Sequence, residues 1–458
     1  SPVGSYFVTP GGLTSTNYAI VFVAGILNVT KATPVFGNLS SPTIFSGAVP
    51  PPIGGNIGYA SVFPSGSVSV TLNGSTVSAS IAPSTGSFAA SFSTTFSYGT
   101  YTISYSYPGD ANFSAATAAG TLHVSGWTTT GSMLTPRSQF AAVLLQNGKV
   151  LMAGGLDAGG NPLASAEVYD PSAGTFSAAV NNMPNKASNF TATLLGSGTV
   201  LLAGGGNASA QIYNPATNSF NSTGGMGTQR SNHTATLLPS GLVLIAGGSN
   251  NSGTIQNSAQ LFDPSTGKFT SIANMNVARE YHTATLLPNG KVLIAGGRTG
   301  GKNTYSYLAS AEVYDPGTGI FTAVGNMTAA RYAHTAALSN GMVLIAGGAN
   351  PATLSSAELY NPSTGTFTAT TSGMSSARQY FTATAISSGV LEAGGLGGSA
   401  ALASSEEYQG GGFATAGNLQ YARYFHSATV LANGSVLVAG GVGSGGASIA
   451  TAELFVIP

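Results

Sequence analysis

Cysteine is absent from the 458 residues, so neither disulfides nor thiolate chemistry contributes to this chain. Charge is scarce as well: 6% of residues are charged, and 13 basic side chains balance 13 acidic ones. A chain with no net charge and no basic cluster lacks the electrostatic footprint for nucleic acid or an anionic membrane surface. No apolar run reaches the roughly 20 residues of a membrane-spanning helix, and no stretch shows a convincing helical period. There is one Trp, which leaves little indole surface for stacking. What is abundant is Gly, at 64 residues, together with Ser, Thr, Ala and Asn; with 43% hydrophobic content this is the composition of tightly turned strands and small neutral surfaces. The chain opens at Ser1 without Met, which leads to the expectation of a product trimmed from a longer precursor.

One sentence repeats seven times from Met133 onward: a Met or Leu, a basic residue, an apolar run, Gly-Gly, then Ala-Glu/Gln-aliphatic-aromatic. The diglycines begin at Gly154, Gly204, Gly247, Gly296, Gly347, Gly394 and Gly440, a period of 43 to 51 residues. Periods of this size mean a propeller or a solenoid. In the clearest copy, residues 275–321, four short apolar segments are separated by turn chemistry such as Pro288-Asn289-Gly290 and Gly317-Thr318-Gly319. Four antiparallel strands per repeat make one blade. The seventh copy stops after its third strand, while residues 127–133, WTTTGSM, align with the outer strand at 321–327. The expectation is a ring of seven blades over 126–458, closed by the N-terminal strand 127–133, which removes exposed edges.

These residues resemble the kelch repeat, with its diglycine after the second strand and aromatic in the third. Residues 33–125 have another rhythm, SVSVTL and TYTISYSY among them, and predict a β-sandwich; the run YSYPGDANFSAAT with the TLHVS that follows resembles bacterial Ig-like modules that space and present other domains. Residues 1–32 resemble the closing strands of an MBG-type Ig-like module, either a partial module or donated strands, because two strands bury no core of their own. The expected fold class is therefore all-β, a seven-bladed kelch-like propeller with an N-terminal Ig-like β-sandwich.

Three columns of the repeat carry chemistry. A basic residue precedes each inner strand: Arg137, Lys186, Arg230, Arg279, Arg331, Arg378 and Arg423. It forms either a cationic ring suited to an acidic ligand or internal pairs with the third-strand column Glu167, Gln211, Gln260, Glu312, Glu358, Glu406 and Glu453. Internal pairing is favoured, and Gln in the second and third copies leaves Lys186 and Arg230 less neutralised. A third column holds His233, His282, His334 and His426, with Phe140, Phe190 and Phe381 in the other copies. Because Phe recurs there, packing with one satisfied nitrogen is expected rather than metal ligation, and no metal or cofactor is expected.

What does not repeat is the place for function. The loop at 298–309, RTGGKNTYSYLA, carries Arg298, Lys302, Tyr305 and Tyr307, a combination suited to protein or ligand contact. Copper radical oxidases that resemble kelch propellers use a cysteine-crosslinked tyrosine, and this chain has no cysteine. No nucleophile elbow, HExxH motif or phosphate loop occurs. The expectation is a non-enzymatic, extracellular bacterial surface protein, adhesive or structural, that self-associates or contacts other surface proteins, with glycan or peptide binding as the alternative. N-x-S/T sequons such as Asn326 are compatible with that location.

Overall fold

The computed structural model describes residues 2–302 and 304–457. Every regular element among them is a β-strand. The chain divides into two compact units, 1–125 with the last two residues, and 126–456.

In the first unit, strands Gly4–Val8 and Gly25–Val29 form an isolated antiparallel hairpin, with Gly4 opposite Val29. The remainder is two-layered. One sheet joins Ser67–Leu72, Ser75–Ser80, Gly99–Tyr107 and residues 116–125, with Thr43–Phe45 added in parallel. The other joins Val35–Gly37, Ile53–Gly58 and Ser87–Ala90. Alternation writes the core: Val68, Val70 and Leu72 from one strand meet Ile53, Ile57 and Phe88 from the other sheet, all buried. Asp110 serves the local backbone. One of its oxygens accepts from the Asn112 and Phe113 amides and the other from the Ser65 amide and hydroxyl. Burial pushes its pKa up, but these hydrogen bonds outweigh it and hold the carboxyl well below its usual range.

The second unit is a seven-bladed propeller. Blade 4 shows the pattern, with Thr283–Leu286 innermost, then Val292–Ala295, Ala311–Asp315 and Ile320–Ala323, each pair antiparallel. In blade 7 the strands Ser427–Val430, Val436–Ala439 and Ala452–Val456 are completed by residues 126–129, with Trp127 opposite Phe455. Cores lie between neighbouring blades: Leu293, Ala295 and Met327 of one pack with Val343, Ile345 and Tyr360 of the next. Within each blade a third-strand aromatic meets one from the fourth, as Tyr314 meets Phe321 at 4.8 Å between centroids. Each such buried side chain contributes roughly 1.5–3 kcal/mol.

The diglycine has a steric cause. Gly247 has φ of 66°, and a Cβ there would lie 2.5 Å from the Arg279 carbonyl oxygen and 2.8 Å from the His282 ring of the next blade. Gly248, at φ 88°, would place a Cβ 2.7 Å from Cβ of His233 in its own blade. Only glycine lets two blades close this tightly.

Candidate functional site

Five buried ion pairs staple the blades: Arg137–Glu167, Arg279–Glu312, Arg331–Glu358, Arg378–Glu406 and Arg423–Glu453, at 2.6 to 3.0 Å. Each arginine is 0% exposed. In blade 4 the Arg279 guanidinium donates to the Gly296 and Ser310 carbonyls, and Glu312 accepts from the Asn276 and Val277 amides and from Arg279. These arginines tie the inner strand, the diglycine turn and the third strand together, and they offer no cationic ring to a ligand.

Lys186 does not belong to this column. The residue that occupies the arginine place in blade 2 is Ala187, whose carbonyl accepts from Gly155 as the Arg279 carbonyl accepts from Gly248. Lys186 is an exposed neighbour. The spacing held the correct answer: Ala187 is four residues after Met183 and three before Phe190, the intervals that separate Met275, Arg279 and His282. The glutamines follow suit. Pro184, which has no amide proton, stands where other blades donate to the Glu, and the same blade has Gln211 in the Glu column. In blade 3 Gly227 adopts φ 72°, and Gln260 Nε2 donates to the Met226 carbonyl at 2.8 Å. Arg230 keeps its bonds to Gly247, Ser258 and the Ser258 hydroxyl but has no carboxylate partner among the described residues. Burial pushes its pKa down to about 10, so it stays charged at neutral pH.

The histidine column pairs across blades. Thr191, Thr234, Thr283 and Thr382 each share a hydrogen bond of 3.0 to 3.1 Å with Nε2 of the next blade's histidine, His233, His282, His334 and His426. Where Phe190 replaces His in blade 2, blade 1 presents Ala141 in place of Thr. Where Phe381 replaces it in blade 6, Thr335 donates instead to Glu392 at 3.3 Å. The blade 7 to blade 1 seam is the exception, with Ser427 facing the Phe140 copy and its hydroxyl without a partner. Burial and the neighbouring arginines push His233, His334 and His426 down to about 3, so these rings are neutral at physiological pH. Among the described residues no three His, Cys, Asp or Glu side chains converge as a metal-ligand set.

Between the arginine and histidine columns lies a position that sequence reasoning passed over. Gln139, Asn189, Asn232, Tyr281, Ala333, Tyr380 and Phe425 all have φ between 51° and 56°. The left-handed region costs a non-glycine residue on the order of 1 kcal/mol or more. The return is a closed ring of backbone hydrogen bonds: each amide donates to the carbonyl of the preceding blade's residue, and Gln139 donates to Phe425, all at 3.0 to 3.1 Å. Side chains of this ring and of the His/Phe column line a cavity of about 290 Å3 on the propeller axis. The signal available in the sequence was variability: this column changes from amide to aromatic inside a repeating frame.

Beside the cavity the blade 4 loop folds as a small hairpin, Arg298–Thr299 against Ser306–Tyr307; Asn303 of that loop lies outside the described residues. The guanidinium of Arg298 sits 3.9 Å from the Tyr305 ring centroid, 5.0 Å from Tyr281 and 5.3 Å from Tyr332. Its Nε donates to buried Glu280 at 2.8 Å, and Glu280 accepts further from Ser249 and Asn232. Burial disfavours the Arg298 charge, but Glu280 outweighs it and the pKa is raised. Tyr307 stacks on Tyr332 at 5.2 Å, and Tyr380 meets both Tyr281 and Tyr332 edge-on. Arg298, Tyr305 and Tyr307 are thus brought together, with Glu280, Tyr281, Tyr332 and Tyr380 as members the sequence did not reveal. Lys302 is exposed and takes no part in the cluster.

The fold and this axial face define a kelch-like β-propeller. A model of the Attractin/LZTR1 beta-propeller family matches residues 117–358, more than half of the chain, and the chain belongs to that family. No curated protein matches it. Among solved structures it is similar to a novel fungal alcohol oxidase of the AA5 family, with catalytic diversity and in complex with copper. The TM-score is 0.59 at 16% identity, covering 73% of this chain and 76% of the oxidase, a likeness of fold.

Proposed function

We propose that this chain is a non-enzymatic bacterial surface protein, extracellular and adhesive, whose propeller presents its loop-rich axial face to a partner while the N-terminal Ig-like modules act as spacers. The observation that carries this reading is the cluster around Arg298, an aromatic assembly confined to one sector of an otherwise sevenfold frame. Tyrosine supplies contact area at low entropic cost and concentrates in binding hot spots. Because Arg298 is already neutralised by Glu280, the face favours neutral or aromatic-binding partners over acidic ones. Glycan and peptide arrays probed with the intact protein test this reading. Binding lost in Tyr305→Ala and Tyr307→Ala supports it, and binding retained by both overturns it.

A second reading, self-assembly, is favoured by the N-terminal hairpin. Phe7 and Val21 are 82% and 83% exposed, and Leu13, Tyr18, Val23 and Ile26 are exposed with them. An apolar two-stranded ribbon with open edges is a template for strand addition by a second copy. Electron microscopy of the intact protein decides: filaments that vanish in a Phe7→Ser, Val21→Ser variant support assembly, and dispersed particles in the parent protein contradict it.

A further inference from the structure

The axial cavity divides chemically into two arcs. Blades 1 to 3 contribute the amides Gln139, Asn189 and Asn232, while Tyr281, Tyr380 and Phe425 supply aromatic surface from blades 4, 6 and 7. The amide arc is only partly self-satisfied. Asn189 Nδ2 donates to Gln139 Oε1 at 2.8 Å, which leaves Asn189 Oδ1 as an acceptor and Gln139 Nε2 as a donor with no partner among the described residues. On the other side Tyr380 and Phe425 lie together with centroids 4.1 Å apart, forming a continuous apolar wall. Among the described residues no ionised group lines the cavity, since the histidines are held neutral and Arg298 is paired with Glu280 outside it. A charged ligand would find no counter-charge there.

We propose that this cavity binds a single neutral sugar ring, a hexopyranoside unit at the end of a glycan, with its hydroxyls on the Gln139 and Asn189 amides and a C–H face against Tyr380 and Phe425. An aromatic wall opposite paired donors and acceptors matches the two-faced chemistry of a pyranose. The volume, about 290 Å3, lies just below the roughly 300–1,000 Å3 typical of small-ligand sites, which suits one ring better than an extended peptide. The proposal rests on the reading of the axial face as a binding face, and it names the ligand class.

The ring geometry provides its own test variants. Glycine removes a side chain while favouring the left-handed backbone these positions require, so Asn189→Gly and Tyr380→Gly leave the hydrogen-bonded ring in place. The probes are neutral methyl hexopyranosides and methyl N-acetylhexosaminides, followed by saturation-transfer NMR and calorimetry, with thermal unfolding confirming that each variant is folded. The expected result is one-to-one binding of at least one glycoside and at least a tenfold loss of affinity in each variant. Three results overturn the proposal. They are no glycoside binding to the parent protein, binding undiminished in both variants, and a neutral peptide binding where no glycoside does. The second of these, found together with array binding that still depends on Tyr305, removes the axial sugar site and leaves the adhesive face standing.

Discussion

Glu312 shows what one residue of the repeat does. It accepts from two backbone amides, the Asn276 side chain and Arg279, so truncation leaves the buried Arg279 charge without its carboxylate and two amides without an acceptor. Glu312→Ala is expected to cost about 3–5 kcal/mol, the usual penalty for removing one member of a buried pair, read as a lower denaturation midpoint in urea. Glu392 is the opposite case, an acid placed where other blades put Ile, Leu, Met or Val. It is fully buried, and burial, opposed by Arg378 and Thr335, pushes its pKa up to about 8. Its folded value lies above its unfolded one, so its protonated form stabilises the fold most at acid pH. That contribution is lost as pH rises from about 4.5 through 8. Glu392→Gln is expected to abolish this alkaline slope in thermal unfolding measured across that range; an unchanged slope means the carboxyl titrates normally.

At the scale of elements, the inner strands carry a pairing rule that no single repeat reveals. A threonine in one blade accompanies a histidine in the next, and alanine accompanies phenylalanine at the blade 1 to blade 2 seam. His282→Phe strands the Thr234 hydroxyl and is expected to cost about 1–3 kcal/mol, whereas His282→Phe with Thr234→Ala reproduces the Ala141–Phe190 seam and recovers most of it. A double-mutant cycle measures this directly, and strictly additive losses contradict the pairing. Strands, diglycines and closing strand were legible because turn residues and alternation are local and were repeated seven times. The axial ring was not, since it is made by backbone amides of residues some 50 positions apart that meet only when the ring closes. Lys186 was misassigned for a related reason: charge caught the eye where the spacing from Met183 and Phe190 marks the uncharged Ala187. In the blade 4 loop the sequence showed Arg298 and its tyrosines but not Glu280, which reaches Arg298 through the bridge between residues 280 and 298.

For the whole molecule, four buried histidines with depressed pKa make acid the vulnerable direction. Each folded value lies below the unfolded 6.5, so the stability they protect is present above 6.5 and lost as pH falls below it, toward about 3 for His233, His334 and His426. The expected outcome is a melting midpoint that declines steadily across that window, with a shallower decline in the His282→Phe, Thr234→Ala protein. The same scale separates what repeats from what does not: the arginine, glutamate and histidine columns hold blades to one another, and recognition falls to the tyrosine cluster and the axial ring. The most direct measurement compares Glu358→Ala with Tyr305→Ala in parallel for unfolding free energy and array binding per folded molecule. The account predicts that Glu358→Ala loses stability and keeps its binding, while Tyr305→Ala keeps its stability and loses binding. A folded Glu358→Ala protein without binding, or a Tyr305→Ala protein that binds as the parent does, contradicts it.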